Sequence, residues 1–156
     1  MGFIKHDVRY RESSDFDIKT LSFKNRIKFE EDNYDYKVTS GTDDWYLQVG
    51  HVLKRIVDQI NLNIMPEQNG AILRIYNLNV VDFRMAPLTF LNNTLQIKLF
   101  YELSDINNKI LKNGSVFEII KFNAIKHGTF TKSAEIALFT CINACLISLL
   151  REVDRI

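Results

Sequence analysis

The sequence has few of the residues that break or cross-link a chain. Its 156 residues include only two prolines, six glycines and two cysteines. This scarcity, with 46% hydrophobic and 25% charged residues, argues against fibrous and disordered classes. The length suits one domain, which can bury roughly 68–70% of its unfolded surface. We therefore predict a single globular domain over residues 15–156, preceded by a flexible segment over residues 1–14.

Neither sign of charge is in excess. Twenty basic and 19 acidic residues give a formal net charge of +1. Nucleic-acid-binding proteins carry a basic excess or stripe, whereas here the two signs are interspersed. The small basic cluster at 19–28 is followed at once by the acidic run at 30–32. We therefore predict that the protein has no nucleic-acid partner.

The two cysteines do not form a predicted disulfide or metal site. Cys141 and Cys145 stand one helical turn apart in an apolar run, so they share a helix face whose geometry does not suit a disulfide bridge. No further Cys or His stands nearby to complete a zinc site. We predict two buried thiols, with no metal and no cofactor.

Long apolar runs are also missing. No stretch reaches the roughly 18 consecutive apolar residues of a membrane span, so we predict no transmembrane segment. The start, 1–6, is not a signal peptide because no apolar region follows it. Whether a leader peptide or a lipid-bearing cysteine has been removed stays open, and with it a lipid anchor.

Hydrophobic periodicity predicts six elements in the order β-α-β-β-β-α. Alternation with period two predicts strands, and steps of three and four residues predict helices. Thr42 is the expected N-cap of the first helix, whose apolar stripe begins at Trp45, and 30–41 is the expected loop before it. Asp105–Asn108 is a predicted tight turn. The predicted elements are a strand at 15–29, a helix from 43 to about 60, strands at 73–81, 94–103 and 110–125, and a helix at 131–153.

The last predicted helix is apolar over more of its surface than one sheet contact requires. We expect it in the middle of the core, against both the sheet and the first helix, or with part of its stripe facing a second subunit. The predicted fold is α+β, a two-layer sandwich with two helices on one face of a four- to five-stranded antiparallel or mixed sheet.

Catalytic motifs are absent from the sequence. It contains no nucleophile elbow, phosphate-binding loop or dinucleotide fingerprint. His6 falls in the expected frayed terminus, His51 beside the stripe of the first helix and His127 in a loop. Because a catalytic or metal site needs several such groups to converge, we predict no catalytic residue, no metal ligand and no cofactor-binding residue. The role of the three histidines stays open.

The strand at 94–103 alternates so regularly that one face of the sheet should be left uncovered. Lys98 and Phe100 belong to that face, and Arg74 and Tyr76 of the preceding strand are expected to join them. Aromatic and arginine side chains are enriched at binding hot spots, so these four residues are a candidate partner surface. The alternative is a solvated sheet face with scattered aromatics.

From Trp45 to Val153 the order of elements resembles that of small bacterial envelope lipoproteins. These include the auxiliary lipoproteins of ABC-type lipid transport systems and the lipopolysaccharide-assembly lipoprotein. In them a hairpin of the form L-x-D-x-x-G-K-x-L leads into a final apolar helix. The hairpin here is 103–111, with Asn108 where the pattern has Gly.

The resemblance implies a non-enzymatic accessory protein or adaptor of the cell envelope, periplasmic or outer-membrane-associated, acting in a transport or assembly system. Its partner would be a protein or a lipid-like ligand. Two alternatives stay open: a cytoplasmic protein that self-associates through the last helix, and a small isomerase- or hydrolase-like cavity enzyme using His51 or an acidic residue. The ligand, the partner and the oligomeric state are not readable from the sequence.

Overall fold

A computed structural model of the chain describes residues 4–9, 26–29, 35–63, 70–85, 93–123 and 129–154. Seven strands and two helices lie within these ranges. In chain order they are β1 (Lys5–Val8), β2 (Arg26–Lys28), β3 (Tyr36–Ser40), β4 (Asp43–Leu47), α1 (Val49–Asn63), β5 (Ile72–Arg84), β6 (Asn93–Ser104), β7 (Ile110–Phe122) and α2 (Phe130–Asp154).

The strands form two sheets, and both are mixed. One has the order β2-β5-β6-β7 and the other β1-β4-β3. The β2–β5 and β1–β4 pairs are parallel, and the remaining pairs are antiparallel. The predicted α+β class, with helices packed against a sheet, is therefore confirmed. The four-stranded sheet matches the predicted sheet, and the three-stranded sheet is an additional element.

The meander of β5, β6 and β7 follows the predicted pattern. Along β6 every second residue from Asn93 to Leu103 is buried, while the residues between them are half-buried. The predicted turn holds as well, because Asp105 Oδ1 accepts the backbone N–H groups of Asn107 at 2.8 Å and Lys109 at 2.9 Å. Asn108 adopts the left-handed conformation, with φ 63°. The turn therefore sets the β6–β7 register.

The predicted start of the first helix is wrong. Trp45 lies in β4 and is completely buried, and α1 begins only at Val49. The backbone of β4 pairs with β1 on one side and β3 on the other, and these two ladders outweigh the local helical spacing. The rest of the predicted stripe is confirmed, since all its members in α1 are buried: Val49, Val52, Leu53, Ile56, Val57 and Ile60.

The residues before β4 also depart from the predicted pattern. The expected loop at 30–41 contains β3, where Tyr36 and Val38 pack against the core. Gly41, with φ 66°, turns the chain into β4. Residues 5–8, within the segment 1–14 expected to be flexible, form β1, and Val8 is buried. Of the expected strand at 15–29, residues 26–28 form β2, and residues 15–25 lie outside the described ranges.

Helix α2 lies at the centre of the molecule, as predicted. It contacts β6 and β7 on one side and α1 and β1 elsewhere. Its length and hydropathy would also allow it to cross a membrane, but 56% of its most apolar window is buried in this fold. A core helix of a water-soluble protein has the same properties. The fully buried members of its stripe include Leu138, Cys141, Ile142, Cys145, Leu146 and Leu149.

Shortening a central side chain of α2 tests this packing. Leu146 is fully buried, so Leu146→Ala should lower the free energy of unfolding by about 2–5 kcal/mol, because the cavity it leaves collapses only in part. The exposed Thr140 of the same helix provides the control, and Thr140→Ala should change stability by less than about 0.5 kcal/mol. Equal denaturation midpoints for the two variants would contradict the central position of α2.

Candidate functional site

The four-stranded sheet has one face that neither described helix covers. We call it the open face and define it by the outward residues of β5, β6 and β7. Because cross-strand partners share a face, the β6–β7 register places Lys98 beside Phe117 and Phe100 beside Ser115. Tyr76 is 44% exposed, Phe117 58% and Ile119 50%. Large apolar groups thus meet solvent on β5 and β7, and Phe100 lies half-buried on β6 between them.

The four residues predicted as a partner surface lie together on the open face. The Tyr76 and Phe100 rings are 6.1 Å apart between centroids. The guanidinium carbon of Arg74 lies 5.6 Å from the centroid of Tyr76, and Lys98 Nζ lies 5.1 Å from that of Phe100. Each aromatic ring is therefore in a cation–π contact with one of the two basic side chains. Such a contact is worth about 0.5–1 kcal/mol when it is exposed.

Two features hold this arrangement in place. Arg74 is paired with Glu102 across the ladder, with Nη2 and Oε1 3.5 Å apart. Tyr76 is the extra residue of a β-bulge between Ile75 and Asn77. A bulge bends its strand and redirects a side chain, and here the redirected ring is the one that meets Phe100. The position of Tyr76 is therefore set by the backbone.

Phe117 and Ile119 extend the open face and were not among the predicted residues. They stand on β7, where Val116 and Ile120 are apolar as well. Because both faces of this strand carry large apolar residues, its alternation does not identify the exposed one. The signal that does identify it is the register set by the turn at Asp105, which pairs Lys98 with Phe117.

A second cluster surrounds His6, which the sequence analysis places in a frayed terminus. Its Nε2 lies 2.8 Å from Asp43 Oδ2, and its Nδ1 lies 2.6 Å from Thr131 Oγ1. The ring stacks on Trp45 with 3.9 Å between centroids. Since a carboxylate only accepts, Nε2–H donates to Asp43, and Nδ1 forms its hydrogen bond with the Thr131 hydroxyl. The prediction that His6 lies in a frayed terminus is therefore wrong, because His6 belongs to β1.

Asp43, His6 and Thr131 provide a carboxylate, an imidazole and a hydroxyl in hydrogen-bonded sequence. Hydrolases use the same three groups, with the hydroxyl as the nucleophile. The surroundings of this series favour a structural role. The next two backbone N–H groups of α2, which could stabilise an oxyanion, already bond to Thr129 at 3.0 and 3.1 Å. What the series does is connect β1, β4 and the start of α2. It joins parts of the chain that are 37 and 125 residues apart.

The remaining histidines form no described site. His51 lies half-buried on α1, and His127 lies outside the described residues. Within the described ranges, no group of three or more His, Cys, Asp or Glu side chains could hold a metal ion. Two open cavities of about 470 and 550 Å³ lie beside α1 and beside α2, and neither is lined by a histidine.

Both cysteines are buried, as predicted. The Cys141 thiol lies 3.4 Å from the carbonyl oxygen of Glu118 and 3.7 Å from that of Leu95. The Cys145 thiol donates to the carbonyl of Ile97 at 3.3 Å. Contact with the Cys141 thiol, and then burial, raise the pKa of Cys145. Both thiols are withdrawn from solvent in the folded protein.

Tyr101 of β6 is a fully buried titratable group. Its hydroxyl packs over Gly114, where an added Cβ would lie 3.3 Å from the oxygen, and it has no hydrogen-bond partner among the described residues. Burial, and then the neighbouring Glu152 carboxylate, raise the pKa of Tyr101 to about 12. The phenol therefore stays protonated in the folded state at pH values where free tyrosine ionises.

The fold is shared with bacterial proteins of very different sequence. A Xanthomonas campestris protein of the DUF330 family superposes with a TM-score of 0.50 at 10% identity, over 94% of this chain and 91% of that one. A candidate lipoprotein from Caulobacter crescentus gives 0.47 at 10% identity, over 84% and 90%. A minor lipoprotein from Acinetobacter baumannii gives 0.46 at 8%, over 67% and 81%.

These similarities concern the fold alone, because every identity is far below 25%. No family model matches the chain, and no curated protein matches it either. Two of the three structures are described as lipoproteins of bacteria, which is a statement about those proteins. The functional assignment of the present chain therefore depends on its own surfaces.

The structural role of His6 predicts a stability effect. His6→Ala removes the bonds to Asp43 and Thr131 and should lower the free energy of unfolding by about 1–3 kcal/mol, because both groups are largely withdrawn from water. The neighbouring Lys5 is exposed, and Lys5→Ala should cost less than about 0.5 kcal/mol. Chemical denaturation at neutral pH distinguishes the two, and equal losses would exclude the His6 contacts as the cause.

The raised pKa of Tyr101 predicts a loss of stability at high pH. The unfolded chain releases the phenolic proton near pH 10, whereas the folded chain holds it until about pH 12. Stability therefore falls as pH rises through this window, since the unfolded state binds fewer protons there. Tyr101→Phe should remove this component while changing stability little at pH 7, because the hydroxyl it deletes has no partner. Urea midpoints at pH 7, 10 and 11.5 provide the measurement, and an unchanged pH dependence in the variant would be the contrary result.

Proposed function

We propose that this protein is a non-enzymatic accessory protein of the bacterial cell envelope that binds a protein partner through the open face. The observation that carries the proposal is the group of aromatic and aliphatic side chains on this face, exposed on β5 and β7 and half-buried at Phe100 of β6, with the cations of Arg74 and Lys98 over its rings. The envelope location is supported by the similarity of the element order to that of envelope lipoproteins.

The composition of the open face suits a protein interface. Interface cores are enriched in aromatic residues and arginine, and their charged residues lie toward the rim. Here Arg74 lies beside Tyr76, and Lys98 lies between Phe100 on its own strand and Phe117 on the next. Isolated exposed apolar residues are common on protein surfaces, but contiguous groups of them mark binding surfaces.

The open face also indicates what the partner must supply. Arg74 already has Glu102 as a counter-ion at 3.5 Å. Lys98 has an aromatic ring beneath its amino group, so an acidic side chain on the partner could approach it from the solvent side. Phe117 and Ile119 require an apolar surface. The expected partner therefore presents an apolar patch with a carboxylate at its edge.

Two substitutions on the open face test this function against two controls on α1. Phe100→Asp and Arg74→Glu should each weaken partner binding at least about tenfold, as losses at interface hot spots do. Leu62, which is 85% exposed, and Lys54, which pairs with Asp58, lie away from the open face. Leu62→Asp and Lys54→Glu introduce the same changes of charge there and should leave binding intact.

The measurement begins with affinity capture from envelope extracts of the native organism, quantified by mass spectrometry, after melting curves show that all four variants fold. The captured protein is then titrated with each variant by calorimetry. If all variants recover the same proteins with equal affinity, the open face is not the binding surface. Binding to phospholipid vesicles that Phe100→Asp abolishes, without a protein partner, would instead identify a lipid-like ligand.

A further inference from the structure

The edge of the four-stranded sheet offers a second interaction surface. Strand β7 is terminal in the order β2-β5-β6-β7 and has 13 residues, so its free edge is about 40 Å long. Among the described residues β7 pairs with β6 alone. A long free edge presents a row of backbone donors and acceptors to any strand that approaches it.

The contacts of Cys141 show which backbone groups form this row. Its sulfur lies within 3.7 Å of the carbonyl oxygens of both Leu95 on β6 and Glu118 on β7. One atom can approach both oxygens only if both point into the gap between the two strands. Glu118 and the residues two apart from it therefore bond to β6, and the alternate residues point their N–H and C=O groups outward. These are Asn113, Ser115, Phe117, Ile119 and Lys121.

The middle of this edge lacks two of the residue types with which proteins prevent unwanted pairing. Edges are usually protected by proline, by outward lysines or by a covering element. From Asn113 to Ile119 the outward positions carry no proline and no charge. The β6–β7 ladder is regular over the same stretch, since its one register shift lies at Leu103/Ser104. An edge of this kind is suited to receiving another strand.

We propose that a second copy of this chain pairs with β7 in antiparallel orientation, with the two-fold axis at Ser115. The two four-stranded sheets then form one continuous sheet of eight strands. Ser115 pairs with its own counterpart, and Asn113 pairs with Phe117 of the second copy. In this register outward groups face outward groups, which is the condition for ladder hydrogen bonds in an antiparallel pair.

Charge complementarity selects this register over its neighbours. On the helix side Lys112 of each copy lies opposite Glu118 of the other, so the axis creates two ion pairs. Moving the axis to Gly114, Val116 or Phe117 places Glu118 opposite Ile110, Gly114 or Val116, respectively. Only the Ser115 register therefore gives the carboxylate a cation, and opposite charges across a ladder stabilise the pair.

The cleft beside β7 can receive the incoming carboxylate. It has a volume of about 550 Å³, and its lining includes Lys112 together with Arg151 and Glu152 of α2. Lys112 Nζ already donates to the backbone carbonyl of Glu152 at 2.9 Å, which holds the amino group at the cleft. Leu111 is the extra residue of the β6–β7 register shift, so the regular stretch available for this pairing begins at Lys112. On the open face Ile119, which is 50% exposed in one chain, lies just beyond that stretch.

Sedimentation equilibrium of the full chain tests the pairing. The wild type should be dimeric at about 100 µM, a concentration at which a dimer of micromolar Kd is mostly formed. Ser115→Pro deletes an outward N–H without touching the β6 ladder, a change that edge strands tolerate. It should raise the dimer Kd at least about tenfold, because both copies carry the substitution and the interface therefore contains it twice. Ser115→Ala keeps the N–H and should leave the Kd unchanged.

Charge reversal tests the register and does not depend on proline being tolerated. Glu118→Lys places two lysines opposite each other, and Lys112→Glu places two carboxylates opposite each other. Each should raise the Kd at least about tenfold, and the double variant should return it to within about threefold of the wild-type value. A wild type that is monomeric at about 100 µM would overturn the proposal. So would a dimer whose Kd neither reversal changes, because that dimer uses another surface, such as the outer side of α2.

Discussion

The packing of α2 against the inner face of β6 and β7 is the contact on which the rest of the structure depends. The helix brings its widest apolar surface to the sheet, and its thiols and aliphatic side chains fill the space beneath two strands. Because α2 also touches α1 and β1, it joins the two sheets through one shared core. The His6 contacts fix the N-terminal end of this helix, and the Lys112 contact with Glu152 fixes its C-terminal end.

This one-sided packing explains why the molecule has an open face at all. A sheet covered by helices on one side leaves alternate residues of each strand to solvent. In β6 those residues are half-buried, because neighbouring side chains on the sheet shield them. The cations of Arg74 and Lys98 rest on aromatic rings, which keeps large apolar groups in water without a protein cover. The same side chains give the face its chemistry.

The parts of the structure that could be predicted are those whose signal is local. β6 alternates over its whole length, and Asn108 marks the turn because it tolerates a positive φ. The prediction for Trp45 was wrong because the residue stands at helical spacing from Val49, while one of its strand partners, β1, is distant in sequence. His6 was missed for the same reason, as Thr131 is 125 residues away. On β7 both parities are apolar, so only the register reveals that Phe117 faces solvent.

The open face and the β7 edge belong to the same meander, and each constrains the other. The bulges of β5 at Tyr76 and Val81 bend the strand far from the free edge, whereas β7 is regular from Lys112 to Phe122. Pairing at β7 would place the open faces of two copies side by side, with Phe117 and Ile119 of each at the junction. A partner that binds the open face could then contact two copies at once. The bulges of β5 position the side chains of the open face, and the regular part of β7 allows a second copy to extend that face.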